Sequence, residues 1–321
     1  MSTGSGEPIR VRVVEVGDET DTVRSIRFAR SDGRPLGTYV AGAHVDVTTP
    51  TGITRQYSLY STPDDPETYA VAVKRETSSR GGSVAMHQLA VGDELTISAP
   101  RNLLGVVEGA THHLLIAAGI GITPMLSMAR WLHVHGRPFD LHYFARSAGE
   151  AAFLPLLQDR CPEALHVHLG LPRSEQDAVV RAAVAAAPSG SHAFVCGPEG
   201  FMDKVEAVAC EALGPEHFHR ESFQASESAD QSGNRPIEVT FEGATYVVPA
   251  DRTILQVLNQ AGADIASSCS EGICGTCIMT VLAGVPEHRD NVLTKAERAS
   301  GELMTVCVSR AQTPKLTLDY Y

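Results

Sequence analysis

The chain has 321 residues, of which 43% are hydrophobic, and its formal net charge is −12. This length predicts two or three domains, each with an apolar core. The acidic balance argues against a nucleic-acid surface, because phosphate is bound mainly by clustered lysine and arginine. The longest apolar stretch, residues 114–126, is too short to cross a bilayer and contains two glycines and a proline. No membrane segment is predicted, and without a signal-peptide pattern a reducing, cytoplasmic location is expected.

The first hundred residues have the pattern of short strands separated by turn residues. The strand patterns fall at 10–16, 23–30, 44–49, 55–60 and 69–74. Short strands at this spacing predict an antiparallel β-barrel.

Two polar motifs lie in this region. Arg55, Tyr57 and Ser58 share one predicted strand, and the run Gly81-Gly82-Ser83 begins an apparent helix with Ser83 as its cap. A phosphate group would fit such a helix start with an arginine beside it. A polar turn next to an edge strand is the simpler alternative.

From about residue 112 the pattern changes to strands that alternate with helices. Strands are predicted at 114–118, 141–145, 166–169 and 193–196, with helices to 135, near 151–159 and over 178–186. This alternation predicts a parallel sheet covered by helices.

The turn after the first of these strands contains Gly119, Gly121 and Thr123, and Pro124 opens the next helix. Glycines here let a pyrophosphate approach the backbone, and the helix N-terminus stabilises its charge. A G-x-G turn alone is weak evidence, because many such turns bind nothing.

A second segment lies at the same predicted sheet edge. Cys196, Gly197 and Pro198 end the last strand, where ligands of parallel sheets bind. The alternative for Cys196 is a small buried apolar residue.

Residues 224–235 have no apolar side chain larger than alanine, so they predict a linker. The module that follows shows strand patterns at 237–241 and 245–248 and a helix pattern at 254–262.

Four cysteines in this module have the spacing of a plant-type ferredoxin cluster. The run is C-x4-C-x2-C, followed after a long gap by one more cysteine, at Cys269, Cys274, Cys277 and Cys307. A zinc site is the alternative, but structural zinc prefers paired C-x2-C knuckles and only one such pair occurs. Unrelated core thiols are a second alternative.

These motifs, in this order, resemble the phthalate dioxygenase reductase family, which includes vanillate demethylase reductases. The resemblance implies a multidomain chain of three folds: an antiparallel β-barrel flavin domain, an α/β parallel-sheet nucleotide domain like that of ferredoxin reductases, and an α+β plant-type ferredoxin domain of the β-grasp type. We expect the boundaries at 1–104, 105–223 and 236–321, with the linker at 224–235.

The resemblance also implies cofactors and residue roles. The flavin would be FMN, the cluster 2Fe-2S and the hydride donor NADH. Catalytic roles fall on Ser58, Thr123 and Cys196. FMN would be bound by Arg55, Tyr57, Ser58, Val73, Lys74, Arg75, Gly81, Gly82, Ser83, Thr123 and Phe223. The nicotinamide dinucleotide would be bound by Gly119, Gly121, Arg146, Ser147, Cys196, Gly197 and Pro198, and the cluster by Cys269, Cys274, Cys277 and Cys307.

The choice of coenzyme and partner stays open at this point. Arg146 and Ser147 follow the second predicted strand of the parallel sheet without an adjacent acid, which leaves NADPH possible beside NADH. The expected partner is a terminal oxygenase, with a Rieske type favoured and a cytochrome P450 as the alternative. An iron-sulfur redox sensor is the alternative from another class.

The histidine pairs, such as His166 and His168, are expected to bind no metal, because no further ligand or carboxylate is spaced to complete a site.

Overall fold

The computed structural model describes residues 7–77, 81–223 and 233–321. The chain divides into two compact units, Met1–Glu221 and Ser222–Tyr321.

A six-stranded antiparallel sheet forms the first part of the first unit. Alternate residues of its strands are wholly buried, as Val11 and Val13 show, because each strand turns one face to a common core. The two edge strands are residues 54–58 and 68–74. Leu59, which directly follows the first of them, forms an isolated backbone β-bridge with Val71 in the second. The strands are β1 (Ile9–Asp18), β2 (Val23–Arg30), β3 (His44–Thr48), β4 (Thr54–Ser58), β5 (Thr68–Lys74) and β6 (Glu94–Ile97), in the order β4-β3-β6-β1-β2-β5.

Helix α1 (Gly82–His87) follows β5 and begins differently from the sequence prediction. The N-cap is Gly81, which has a left-handed φ of 94°, and it makes no side-chain cap. Glycine adopts this conformation without steric cost, so the helix starts before Ser83. The Ser83 hydroxyl instead accepts a hydrogen bond from the Glu76 amide at 3.2 Å. The prediction that Ser83 caps the helix was therefore wrong.

The second part of the first unit is a five-stranded sheet in which every pair of strands is parallel, which confirms the sequence prediction. Its central strands carry continuous apolar runs because helices cover the sheet. The strands are β7 (His112–Ala118), β8 (Phe139–Ala145), β9 (Leu165–Leu169), β10 (Ser191–Cys196) and β11 (Phe218–Glu221), in the order β11-β10-β7-β8-β9. The helices are α2 (Ile122–Val134), α3 (Leu154–Arg160), α4 (Arg173–Ala186) and α5 (Glu199–Leu213).

The second unit contains a five-stranded mixed sheet in the order β13-β12-β18-β14-β16. Helix α6 (Ile254–Gln260) is started by a capping box between Thr253 and Gln256, and it buries Ile254, Leu255 and Leu258 in the core beside the sheet. The strands are β12 (Ile237–Phe241), β13 (Ala244–Val248), β14 (Ile278–Ala283), β15 (Pro286–Glu287), β16 (Leu303–Thr305), β17 (Arg310–Ala311) and β18 (Lys315–Tyr320); a short helix α7 (Lys295–Ser300) lies before β16.

The predicted linker lies mostly outside the described residues, which omit 224–232. Its last residues belong structurally to the second unit. Asn234 donates to the Ala250 carbonyl at 2.8 Å, and Arg310 donates to the Arg235 carbonyl at 2.7 Å. In the three described ranges, no helix combines the length and apolarity needed to cross a membrane.

Candidate functional site

The four cysteines of the ferredoxin-like run come together in the second unit. Cys269 and Cys274 lie in the loop after α6, Cys277 directly precedes β14, and Cys307 follows β16. Strands β14 and β16 are paired, so they bring the last two cysteines together although 29 residues separate them. All four side chains are buried, and all four thiols are free of disulfides.

The loop has the backbone that wrapping a cluster requires. Ser270 has a left-handed φ of 54°, which is uncommon for a residue with a side chain, and Gly272 has a φ of 73°. This winding turns the Glu271 amide toward the Cys269 sulfur at 3.3 Å. Amide donors of this kind stabilise negative charge on a ligating sulfur.

The thiols interact in two pairs. Cys269 hydrogen-bonds to Cys274, which lowers the pKa of Cys274 to about 5, with a further contribution from the Thr276 hydroxyl. Cys277 and Cys307 form the second pair, and their hydrogen bond lowers the pKa of Cys277. Each pair therefore holds one thiol that ionises easily, as metal binding requires.

The arrangement of the four thiols in two pairs can be compared with the needs of an iron-sulfur cluster. A 2Fe-2S core has two irons, each of which takes two thiolates. The donor set and its arrangement in pairs fit that core.

In the first unit, a buried polar cluster lies where the antiparallel and parallel sheets meet. The Ser58 hydroxyl, at the end of β4, donates to the Glu221 carboxylate at the end of β11 at 3.2 Å. On the other carboxylate oxygen, His44 Nδ1 of β3 lies 3.4 Å from Glu221 Oε1. All three side chains are almost fully buried.

Cys196 lies beside this cluster. It is the partner of Glu221 in the register of β10 and β11, so the two side chains share a face of the sheet. Complete burial raises the pKa of Cys196 well above its usual range, and the charge of Glu221 adds to the increase. The thiol is therefore neutral near pH 7, which suits a contact surface for a ring and not a nucleophile.

The glycine turn after β7 packs directly against the end of β10. A Cβ added at Gly121 would lie 2.2 Å from the Cys196 carbonyl oxygen, so this position must be glycine. The turn brings the start of α2 to the same edge as Gly197 and Pro198. Thr123, in the first turn of α2, is buried and donates to the Ile120 carbonyl at 3.1 Å.

The phosphate-binding residues expected from the sequence also come together. The stem of Arg55 passes over Gly82, where an added Cβ would lie 2.8 Å from Arg55 Cγ. A cation and the start of α1, with Gly81 and Ser83, therefore adjoin each other, as a flavin phosphate requires. Tyr57 packs partly buried against the core of the antiparallel sheet.

The next strand, β5, supplies Val73, which is buried, and Lys74, which is half-exposed and lies 3.9 Å from Glu76. Arg75 follows the strand and lines a polar cavity of about 670 Å³ together with Arg24, His87 and Gly149. The cavity therefore lies between the antiparallel sheet and the turn that follows β8.

At the end of β8, Arg146 and Ser147 lie at the carboxyl edge of the parallel sheet, and both are exposed. The carboxylate of Glu150 lies near Arg146, with 4.0 Å between Glu150 Oε2 and Arg146 Nη1. No acid is a sequence neighbour of Arg146, but the short helical turn after β8 brings Glu150 near it.

Phe223 lies at the start of the second compact unit and is half-buried there. Its predicted stacking on a flavin stays a prediction.

Sequence reasoning missed His44 and Glu221. The only local signal for Glu221 was an acid at the end of an otherwise buried strand, next to Ser222 and Phe223.

One histidine pair has a carboxylate neighbour that the sequence did not reveal. Asp140 on β8 lies 2.8 Å from His166 and 3.0 Å from His112, because the parallel register places all three on one face.

Comparisons with known proteins agree with this geometry. Residues 237–312 match the 2Fe-2S iron-sulfur cluster binding domain, and residues 97–217 match the N-terminal domain of dimethylamine monooxygenase subunit DmmA-like proteins. The chain is 44% identical to a vanillate O-demethylase oxidoreductase of Pseudomonas sp. (strain HR199 / DSM 7063) over 301 residues, covering 92% of this chain and 94% of that protein.

Two solved structures are similar over nearly the whole chain. Phthalate dioxygenase reductase, described as a modular structure for electron transfer from pyridine nucleotides to [2Fe-2S], is 33% identical with a TM-score of 0.72 and covers 98% of both chains. An intact type IV self-sufficient cytochrome P450 monooxygenase is 36% identical with a TM-score of 0.81, and it matches 97% of this chain with 41% of its own.

The fold and the two sites define an iron-sulfur flavoprotein oxidoreductase that depends on a nicotinamide coenzyme, built as a ferredoxin reductase-like part with a 2Fe-2S domain. The chain belongs to the phthalate dioxygenase reductase family of oxygenase reductases, as the resemblance of its motifs indicated.

Proposed function

We propose that this protein accepts hydride from NADH onto FMN and delivers single electrons through a 2Fe-2S cluster to a Rieske-type terminal oxygenase. The observation that carries the proposal is the presence, in one chain, of four buried paired cysteines and of the cluster formed by Ser58, Cys196 and Glu221. The family relationship supports the same function.

In this proposal FMN occupies the antiparallel sheet of the first unit. Its phosphate is bound by Arg55, Gly81, Gly82 and Ser83, and its ring is lined by Tyr57, Ser58, Val73, Lys74, Arg75 and Thr123. The stacking of Phe223 on the flavin is part of the same proposal and follows from the family resemblance alone. The bridge between Leu59 and Val71 supports a closed barrel for this sheet. We propose the domain boundaries at 1–104, 105–223 and 236–321.

The nicotinamide coenzyme occupies the carboxyl edge of the parallel sheet. Gly119 and Gly121 admit its pyrophosphate to the start of α2, whose free amides stabilise the negative charge. Cys196, Gly197 and Pro198 hold the nicotinamide end next to Ser58. Since Ser58 and Cys196 are buried, they exclude water from the place where hydride passes.

When bound, FMN supplies the exchange between a two-electron donor and a one-electron acceptor, and the cluster supplies single-electron transfer. The cluster is held by the four cysteines of the second unit, Cys269, Cys274, Cys277 and Cys307.

We propose NADH as the coenzyme, because the negative charge of Glu150 near Arg146 would repel the 2′-phosphate of NADPH. The Arg146 guanidinium is also partly paired with Glu150, which weakens its interaction with that phosphate. Steady-state kinetics with both coenzymes test this choice. We expect a higher kcat/KM for NADH, and a higher value for NADPH would contradict it.

The partner is tested by reconstitution. The pure reductase is combined with NADH and with either a Rieske oxygenase or a cytochrome P450, and substrate turnover is measured. The P450 alternative is favoured by one observation, the 36% identity to a part, 41% in length, of a self-sufficient cytochrome P450 monooxygenase. Turnover with the Rieske oxygenase supports the proposal, and turnover with the P450 alone rejects it.

A further inference from the structure

One buried carboxylate of the second unit lies directly against the cysteine loop. The side chain of Asp290 is 0% exposed. Its backbone packs on the loop at Gly272, where an added Cβ would lie 2.9 Å from the Asp290 Cα and 2.6 Å from Val308 Cγ2. The Gly272 carbonyl also accepts a hydrogen bond from the Asn291 amide at 2.9 Å. A carboxylate is costly to bury unless it is hydrogen-bonded, so its partners indicate what it does there.

The carboxylate of Asp290 is the acceptor at the centre of a buried polar network. Its Oδ2 accepts from the Leu293 amide at 2.9 Å, and its Oδ1 accepts from the Ser309 hydroxyl at 3.5 Å. The same hydroxyl accepts from the Arg289 amide at 3.1 Å and lies 3.2 Å from the Thr305 hydroxyl. A serine hydroxyl donates once and accepts twice, so with Thr305 as a donor every capacity of Ser309 is filled.

Two basic side chains face the same carboxylate. Arg298 of α7 donates to the Asp290 carbonyl at 2.7 Å, and its Nη2 lies 3.7 Å from Asp290 Oδ2. On the other oxygen, His288 Nδ1 lies 3.6 Å from Asp290 Oδ1. A cation beside a buried carboxylate offsets part of the cost of removing it from water.

The partners of Asp290 belong to the two segments that supply the four thiols. Gly272 lies within the loop 269–277, and Ser309 follows Cys307 by two residues. The two segments also meet directly, because the Gly272 amide hydrogen-bonds to the Cys307 sulfur. Asp290 therefore holds the segment of Cys307 through its side chain, while its backbone and the next amide hold the loop.

We propose that Asp290 is a positioning residue for the iron-sulfur cluster, because its carboxylate joins the cysteine loop to the segment of Cys307 and keeps the two sets of thiols at the spacing that the cluster needs. This inference rests on the proposed assignment of the four cysteines as ligands. Asp290 acts on them through Gly272 and Ser309 and binds no iron itself. Outer contacts that orient metal ligands change metal affinity by roughly ten- to a hundredfold.

The test uses the full-length protein with its flavin and cluster. Asp290→Ala removes the acceptor, and Asp290→Asn keeps an acceptor oxygen for the backbone amide and an amide group that can donate to the serine hydroxyl. Thr313→Val is the matched control, because the Thr313 hydroxyl also joins two backbone segments of this unit. It accepts from the Val285 amide at 3.0 Å and donates to the Lys315 carbonyl at 2.9 Å, beyond the end of β14 that is farther from Cys277.

Four measurements separate the cluster from the rest of the protein. Iron and labile sulfide content report on assembly, and the rate of iron release to bathophenanthroline reports on how firmly the cluster is held. The electron paramagnetic resonance spectrum of the dithionite-reduced protein reports on ligand geometry. The rate of flavin reduction by NADH reports on the first unit.

We expect Asp290→Ala to release iron about tenfold faster than the unaltered protein, as for other outer contacts of metal ligands. Its resonance lines should be broader, because the two sets of thiols are no longer held at one spacing. Asp290→Asn should restore both properties, and Thr313→Val should match the unaltered protein. Flavin reduction by NADH should be the same in all four proteins.

Iron release and line widths of Asp290→Ala equal to those of the unaltered protein would overturn the inference and leave the proposed function intact. Equally fast release from Asp290→Asn, or from Thr313→Val, would also overturn it, since the effect would not then depend on the acceptor. If Asp290→Ala assembles no cluster, Ser309→Ala is measured in the same way, and unaltered release from it would reject the inference. An unaltered protein without iron and labile sulfide would contradict the proposed function and the inference together.

Discussion

Cys274 shows how the surroundings of a cysteine change its pKa. It lies at the centre of the cysteine loop, and the thiol of Cys269 lowers its pKa to about 5. Cys196, in the first unit, is held neutral by complete burial and by the charge of Glu221. The local environment therefore makes one cysteine easily ionised, as the proposed cluster ligation requires, and keeps the other neutral.

The first prediction concerns the cluster. Cys274→Ser should abolish the 2Fe-2S cluster, because a thiolate ligand is lost, while the flavin stays bound and is still reduced by NADH. Iron content and the visible spectrum measure the first effect, and anaerobic stopped-flow absorbance the second. Cys210→Ser on α5, outside the loop, serves as the control and should retain iron. A Cys274→Ser protein with a full complement of iron would contradict the ligand assignment.

The second prediction concerns the close approach of two loops. Gly121→Ala would place a methyl group 2.2 Å from the Cys196 carbonyl oxygen, so the backbone must move. A displacement of this size at a reacting centre costs on the order of a hundredfold in kcat/KM for NADH. Gly109→Ala is the control, since nothing lies within 4 Å of its added Cβ. Unchanged kinetics of Gly121→Ala would show that this turn does not hold the coenzyme.

Glu221 was missed because its contact joins segments that are distant in the sequence. Ser58, which the sequence did predict, and Glu221 are 163 positions apart, and their contact exists only because two separate sheets pack together. No local pattern encodes such a contact. The convergence of the cysteines and the turn between β7 and α2 could be predicted, because each has a local spacing pattern in the sequence.

At the scale of elements, strands and helices were predictable where one face of a segment is apolar. Strands β2 and β5 and the alternation of β7 to β10 with helices confirm this. The start of α1 was not predictable, because a left-handed glycine and a capping serine give similar sequence signals. Asp140 was missed for a different reason, since the register between β7, β8 and β9 decides which histidines it meets.

The histidines of the parallel sheet give the third prediction. Burial lowers the pKa of both His142 and His219 to about 4, and neighbouring histidines add to the effect. The folded state therefore binds protons less readily than the unfolded chain, in which histidine titrates near pH 6.5. The stabilisation is complete above about pH 6.5 and is lost as the pH falls toward 4.

Urea unfolding of the chain at a series of pH values measures this effect. Each histidine should contribute on the order of 2 kcal/mol to the loss of unfolding free energy. His142→Phe should flatten the pH dependence, and the same change at the exposed His133 on α2 should not. A free energy of unfolding that rises as the pH falls from 6.5 to 4.5 would contradict the prediction.

At the scale of the molecule, the chain separates the electron entry site from the exit site. Hydride chemistry is assigned to the first unit, Met1–Glu221, and the cluster to the second, Ser222–Tyr321. Each unit has its own apolar core, so each is equipped to fold on its own.

The fourth prediction follows from this separation. Limited proteolysis should cut the chain between residues 224 and 235, where the sequence has no apolar side chain larger than alanine. The larger fragment should retain the flavin and be reduced by NADH, and the smaller fragment should retain the cluster. Mass spectrometry locates the cut, and absorbance spectra identify the cofactors. Loss of the flavin on cleavage would contradict the modular organisation.

The most direct test of the central claim is an anaerobic titration of the purified protein with NADH, followed by absorbance and electron paramagnetic resonance. We predict that the protein contains riboflavin phosphate, two irons and labile sulfide, that NADH bleaches the flavin, and that the signal of a reduced 2Fe-2S cluster then appears. A protein that carries both cofactors but shows no cluster signal after its flavin is reduced by NADH, or a protein that carries neither cofactor, would contradict the account.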